Sequence, residues 1–328
     1  MKPAPEDVHF SPLLTNLSIA YRNDRSKYIA TRFAPVVPVE KQSGKYTVFS
    51  KADFLRDEAQ VREDGKETAG IGFGLSRDTY DCELYGIHFD ITPRHRQSGA
   101  GDFDLRQVGM QQITDKLLLK QERIWVSTMF KAGVWTGQAD QAGVASSPST
   151  NQVIHWSDAT NGTPLADITS AMTAIAESTG LRPNTLALGR RVFDKLKLHP
   201  NFRDQIKYTS ADSITPEILA RMLELERVLV ADVVHNSAAD GQTASMAFTH
   251  GKHALLAYVN LEPSPKKEMP SAAYTMGWTI VEGQPAGIAI SELPRDPKTK
   301  VDRIEGESAW QPKVTGADCG AFFEGVVA

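Results

Sequence analysis

The stretch from residue 45 to residue 82 sets the strongest limit on any fold. It carries 6 Lys/Arg and 8 Asp/Glu, so 14 of its 38 positions are charged. Charge at that density resists burial in the chain's own core, because an ion taken out of water costs on the order of several kcal/mol unless it is paired. The segment is nevertheless patterned. Tyr46-Thr47-Val48-Phe49 alternates as a strand does, Gly70-Ile71-Gly72-Phe73-Gly74 punctuates the middle, and strand-like sequence returns from Asp81 to Thr92. It reads as a long two-stranded excursion with a polar tip. A lone two-stranded hairpin is marginal in water, so this one must lie on a neighbour.

The first 40 residues share that dependence. Prolines at 3, 5, 12, 35 and 38 discourage helix through most of the segment. Leu13 to Ala34 leaves room for a short helix, and Pro35-Val36-Val37-Pro38-Val39 reads as extended chain. This is an arm with apolar residues but no space for a core of its own.

The rest is self-sufficient. Residues 102–131 form the clearest helix, with Asp102 or Asp104 as cap and Gly133 as stop. Met110, Ile113, Leu117 and Ile124 fall on one stripe, with Leu118, Trp125 and Met129 beside it. Residues 136–163 are rich in small and polar residues and read as a loop or linker. Helices follow at Leu165 to Thr179, at Arg190 to Leu198 and from Thr215-Pro216-Glu217, interleaved with apolar strands at Thr185 to Leu188 and Val228 to Val234. Residues 151–260 therefore read as a compact mixed unit. The tail reads as strands at Tyr274 to Val281, Gly287 to Leu293, around Val314, and Phe322 to Val327, with Pro294 and Pro297 in a loop.

Composition narrows the function classes. Of 328 residues, 41% are hydrophobic and 23% charged, which suits a folded chain. Lysine plus arginine is 36 against 40 for aspartate plus glutamate, a net charge of −4, so there is no global basic footprint for nucleic acid. Met1 to Pro12 is polar and no stretch approaches the ~18 apolar residues of a membrane span, so no membrane partner is expected. Cys82 and Cys319 read as packed, reduced thiols.

No catalytic constellation emerges. The Gly70 to Gly74 run lacks the following helix and the Gly-Lys-Ser/Thr ending of a phosphate loop. His250 and His253 could share a metal on one helical turn, but their flanks look like strands, and surface or turn histidines are the simpler reading. No nucleophile turn of the Gly-x-Ser-x-Gly kind is present. Glu224 and Glu226 beside Arg221 and Arg227 read as a solvated, salt-linked face. No catalytic, metal or cofactor residues are expected.

From Trp156 onward the order of motifs becomes informative: Trp156-Ser157-Asp158, Pro164 with Asp167-Ile168, Gly180-x-x-Pro183-Asn184-Thr185-Leu186, Leu196-x-x-His199-Pro200 and Ile206-Lys207-Tyr208. This block closely resembles the corresponding part of the major capsid proteins of tailed phages. The arm's Pro35 to Val39 with Gly44-Lys45-Tyr46, and Asp296 to Ile304 in the tail, are similar to the same family. The resemblance implies an α+β chain of the Hong Kong 97-type capsid fold, with an N-terminal arm at 1–40 and an E-loop at 41–92. It further implies a peripheral domain with the spine helix at 93–150, an axial domain at 151–260, and a return to the peripheral domain at 261–328.

The implied function is assembly with copies of itself, as pentamers and hexamers, into an icosahedral shell enclosing double-stranded DNA without sequence-specific binding. The implied place is the virion, after assembly in the cytoplasm of the host bacterium. Lys51, Arg56, Asp57, Glu58, Arg62, Glu63 and Asp64 are the expected intersubunit contacts of the E-loop. A near-neutral wall suits such a container, since a strongly basic one would hold the packaged DNA. Because the arm begins almost at Met1, a separate scaffolding protein is expected; the resemblance implies a portal as a further partner and leaves a decoration protein open. The lysine–asparagine cross-link of some relatives is not expected, because Lys51 and Lys66 have no asparagine after Asn260 to meet. Two other readings stand beside this one: an encapsulin-type nanocompartment shell, and a soluble α/β enzyme built on 151–260.

Overall fold

The computed structural model describes residues 22–62, 64–65, 67–94, 105–206, 213–262, 270–280, 285–293 and 300–328. The arm contributes a 3-10 turn at Arg25–Lys27, a short helix α1 (Ala30–Phe33) and strand β1 (Val36–Val39). Strand β2 (Ser43–Phe49), helix α2 (Lys51–Phe54) and strand β3 (Leu75–Asp81) make a hairpin, and β4 (Glu83–Ile91) follows directly. Next comes the long helix α3 (Leu105–Met129) and two short strands, β5 (Gln141–Val144) and β6 (Gln152–Ile154). A helical stretch follows: α4 (Pro164–Thr179), β7 (Thr185–Gly189), α5 (Arg190–Leu198), α6 (Pro200–Ile206) and α7 (Pro216–Met222). Strands close the chain: β8 (Arg227–Ala231), β9 (Val234–Asn236), β10 (Met246–Phe248), β11 (Ala254–Ala257), β12 (Ala273–Trp278), β13 (Ala289–Leu293), β14 (Asp302–Val314) and β15 (Gly320–Glu324).

One sheet runs β6-β5-β15-β11-β7-β8, with β11 antiparallel to both of its neighbours. Successive side chains of a strand point to opposite faces. The sheet uses both. Leu186, Leu188, Val228, Leu256 and Phe323 enter one core with Ile168, Met172 and Ile175 of α4 and Val192, Phe193 and Leu196 of α5. Ala187, Leu229, Leu255 and Phe322 face a second core with Trp125, Met129 and Phe130 at the end of α3 and with Ile29 and Phe33 of the arm. Two-sided burial explains why β7 and β11 read as unbroken apolar runs. Helix α4 keeps Ile168, Met172 and Ile175 on its inner stripe, starts with Pro164 and stops at Gly180, whose φ of 73 suits a residue without a Cβ. The Thr215 hydroxyl caps α7 by accepting the Ile218 N–H.

The second sheet runs β1-β12-β14-β13, with β4 also paired along β14 from Asp302↔Ile91 to Trp310↔Glu83. The first half of α3 lies on it, with Ile113 and Leu117 against Ile91 and Ile304. The approach is close enough to require glycine. A Cβ on Gly306 would meet Ile113 Cγ2 at 2.1 Å, and one on Gly109 would meet Phe89 at 2.7 Å. Helix α3 thus ties the two sheets together, its first half on one and its last turns under the other.

Several expectations change. Residues 136–163 are not simply a linker, since β5 and β6 extend the six-stranded sheet. The closing strand β15 joins that same sheet rather than the one formed by the other tail strands. Pro200 does more than end a helix, because it opens α6. The expected caps Asp102 and Asp104 and the loop prolines Pro294 and Pro297 lie outside the described residues. Among the described residues no helix is long and apolar enough to cross a membrane.

Candidate assembly surfaces

The hairpin pairs Ser43↔Asp81 through Phe49↔Leu75, with no third strand on either side among the described residues. None of its described residues is buried. Its attachments to the body are polar and few. Tyr46 Oη donates to Asp78 Oδ2 at 2.8 Å, and Lys313 Nζ of β14 reaches the same oxygen at 3.0 Å. The Tyr46 hydroxyl, the Thr79 N–H and Lys313 all hold the Asp78 carboxyl below the usual carboxylate range. Burial, then Asp78, pushes the Tyr46 phenol upward. The Asp81 N–H donates to Gln311 Oε1 at 2.8 Å. Farther along, Lys51 Nζ lies 2.7 Å from Asp318 Oδ2.

Beyond Lys51 the tip is not simply polar, as expected, but mixed. Phe49, Phe54 and Phe73 form a ring cluster with centroids 5.6 to 6.0 Å apart. Phe54 and Phe73 are each 60% exposed, Ile71 83% and Val61 97%. An open cleft of about 560 Å³ lies among Phe54, Asp57, Gln60, Thr68, Ile71 and Phe73. Exposed apolar groups gathered at a rim of charge mark an interaction site. The expected contact residues divide accordingly. Arg56 stands between Asp53 at 3.6 Å and Glu58 at 3.2 Å, and Asp57 accepts the Ala59 N–H, all beside the rings. Arg62 and Asp64 are exposed on the same tip. Lys51 stands apart at the neck, paired within its own chain. Glu63 and Lys66 lie outside the described residues. Sequence reasoning missed the phenylalanines. Their signal was available: Phe54-Leu55 and Ile71-Gly72-Phe73 interrupt a run too charged to have a core of its own.

The motifs weighed for chemistry resolve structurally. Glycines 70 to 74 form the approach to β3, where the Gly74 N–H donates to Asp53 Oδ2 at 2.8 Å. Glu224 pairs with Arg182, not with Arg221. His250 is on a turn, as expected, but it is no surface residue, being 1% exposed. Its Nε2 is 3.2 Å from Glu122 Oε1, off the line of a hydrogen bond. Glu122, equally buried, accepts the Ile29 and Ala30 N–H groups at 2.9 to 3.1 Å. That carboxylate is the polar clasp of the arm on α3. Burial lowers the His253 pKa. Burial likewise pushes the thiols of Cys82 and Cys319 up to about 11 and about 12, away from nucleophilic reactivity. Among the described residues no group of three or more His, Cys, Asp or Glu could hold a metal ion.

No family model matches the chain. It is 26% identical over 321 residues to the major capsid protein of Burkholderia phage BcepMu, covering 96% of each chain. It is 28% identical over 334 residues to the major capsid protein of Pseudomonas phage JBD67, covering 100% of each. Its fold is similar to the crystal structure of a phage-related protein from Bordetella bronchiseptica, with TM-score 0.69, 23% identity and coverage of 93% and 94%. It is also similar to the capsid subunit of a native GTA particle, with TM-score 0.58, 13% identity and coverage of 93% and 92%. The encapsulin of Synechococcus elongatus gives TM-score 0.55 at 12% identity, over 96% and 93% of the two chains.

Proposed function

We infer that this chain, which has the Hong Kong 97-type capsid fold, is the major capsid protein of a tailed bacterial virus. Its work is structural: copies of it form the icosahedral shell around double-stranded DNA, and its place is the virion. The reading is carried by similarity to two phage major capsid proteins along the whole chain, joined to a hairpin none of whose described residues is buried.

The division of labour follows. Residues 1–40 act as the arm, 41–92 as the E-loop, 93–150 and 261–328 as the peripheral domain, and 151–260 as the axial domain, whose sheet also takes in 141–144 and 320–324. The E-loop tip lies on the next copy in the ring. Phe54, Ile71 and Phe73 lose their exposure there, and Arg56, Asp57, Glu58, Arg62, Glu63 and Asp64 form the charged rim. Such a rim gives orientation more than affinity. Lys51, bound to Asp318, sets the angle at which the hairpin leaves its own subunit. Contacts of this head-to-tail kind close into pentamers and hexamers. A separate scaffolding protein and a portal complete the particle, which assembles in the host cytoplasm. The chain is not an enzyme.

Electron microscopy of the purified chain under assembly conditions tests this. Closed shells with fivefold and sixfold rings are expected, and monodisperse monomers under every condition would overturn it. The similarity to an encapsulin favours a second reading, a nanocompartment shell. Contents separate the two: DNA in particles from infected cells supports the capsid, and a packaged enzyme supports the compartment.

A further inference from the structure

A net charge of −4 conceals a segregation of charge. The arm from Arg22 to Phe33 runs between helix α3 and the edge of the six-stranded sheet. Asn23 exchanges two hydrogen bonds with Val234, Arg22 and Arg25 reach Asp115, and the N–H groups of Ile29 and Ala30 end on Glu122. Arg22, Arg25 and Arg32 remain exposed. On α3, Lys116 and Arg123 are seven residues apart, so they share a face, and both are exposed. The acids nearby are already engaged. Asp115 holds two arginines, Glu122 is buried, Asp232 faces Arg190 at 3.6 Å, and Asp24 accepts the Ser26 N–H. Glu226 is the exception: it is exposed beside Arg227 and partly offsets it.

One end of this strip brings two cations, Arg32 and Arg227, close together. Arg227, on the edge strand β8, donates Nε–H to Thr185 Oγ1 at 3.0 Å, but its Nη2 is buried with no hydrogen-bond partner among the described residues. Burial and the neighbouring Arg32 bring its pKa down to about 10. A second cation crowds His235 in the same way, since Arg123 helps burial to lower its pKa. Among the described residues the strip also exposes no large apolar side chain, unlike the hairpin tip. A protein partner would need such groups at its centre. A polyanion would not.

We propose that the arm, the outer face of α3 and the β8 edge form a strip on the shell's inner wall that binds the sugar–phosphate backbone of duplex DNA. Lys116 and Arg123 stand roughly 10 Å apart along α3 at 1.5 Å per residue, within a single turn of duplex. Arg32 takes a phosphate at one end, Lys116 and Arg123 follow the backbone, and Arg22 and Arg25 share the phosphates with Asp115. The binding reads no sequence. It rests on the capsid reading for what the wall encloses.

The test uses the full-length soluble subunit and a fluorescent duplex, titrated from 50 to 200 mM salt. Lys116→Glu/Arg123→Glu, and separately Arg32→Glu, are exposed changes and leave folding intact. The double variant is expected to lose tenfold or more in affinity and to flatten the slope of log Kobs against log salt by about 2. The hairpin control Lys45→Glu/Arg77→Glu stays within about twofold of wild type on the same grounds. Equal losses in the control, or an unchanged salt slope, would overturn the strip. So would polyglutamate binding as tightly as the duplex, which would mark an acidic polypeptide as the partner. Closed shells should not bind added duplex that free subunits do bind, and if they do the strip faces outward. Normal shells with a failed DNA titration sink this inference alone, whereas absence of shells sinks the capsid reading.

Discussion

The six-stranded sheet and the 43–81 hairpin are both β-structure, yet they relate to water in opposite ways. In β7 and β11 every residue is buried, because helices cover one face and the arm and α3 cover the other. In the hairpin no described residue is buried, and the largest apolar side chains stand in solvent. The sheet satisfies itself within one chain. Among the described residues, the hairpin meets the body through polar contacts at Lys51, Asp78 and Asp81, and its apolar tip is exposed. A subunit whose stability and association reside in different segments can fold first and assemble later. That separation makes the two regions experimentally distinguishable.

The largest effect on subunit stability is expected at Trp125. Its ring is fully buried between the arm's Phe33 at 5.1 Å and Phe130 at 5.5 Å. Trp125→Ala should cost about 3–5 kcal/mol in urea denaturation of the subunit. A loss below about 1 kcal/mol would mean that the arm and α3 do not form a real core. Glu122→Gln comes next. The carboxylate accepts two N–H groups, whereas an amide presents one oxygen and one competing donor. A cost of about 1–3 kcal/mol is expected. Limited proteolysis should cut first within 22–34, and an arm as protected as in wild type would refute the clasp.

Phe73→Ala reverses the pattern. The ring is mostly exposed, so subunit stability should move by no more than about 0.5 kcal/mol. Shell yield in electron micrographs should fall sharply. A variant that assembles normally would remove the ring cluster from the interface, and a variant that unfolds would place it in the subunit's own core.

Legibility in the sequence follows the same contrast. Helix α4 was readable because one face repeats every three to four residues and Pro164 and Gly180 bracket it. Strands β7 and β8 were readable as short apolar runs. Strands β5 and β6 were not, because segments as short as Gln-Ala-Gly-Val and Gln-Val-Ile become strand only when β15 pairs with β5 from far along the chain and β5 in turn pairs with β6. Helix α3 was placed correctly, but the division of its stripe between two sheets was not foreseeable from periodicity. Glu122 was invisible for a similar reason: a single acid on a helix announces nothing until the arm's N–H groups arrive, 93 residues away in sequence. The charge of 45–82 marks the excursion, but its returning strand is β3, earlier than the expected Asp81 to Thr92, most of which pairs with β14 as β4.

The smallest effect concerns the hairpin's own attachment. Asp78 ionises more readily in the folded subunit than in the unfolded chain, because Tyr46, the Thr79 N–H and Lys313 all favour the carboxylate. Its contribution is therefore complete above the ordinary value of 3.8 and is lost as the pH falls through the lower folded value. The pair is partly exposed, so screening limits its worth to about 0–1 kcal/mol. Asp78→Asn should loosen the hairpin at neutral pH, seen as faster protease cleavage between residues 55 and 75, and should abolish the further loosening that wild type shows in acid. Denaturation of the six-stranded sheet should not respond to the substitution at all. If it does, the hairpin and the sheet unfold as one cooperative unit, and the separation of folding from assembly between these two segments is wrong.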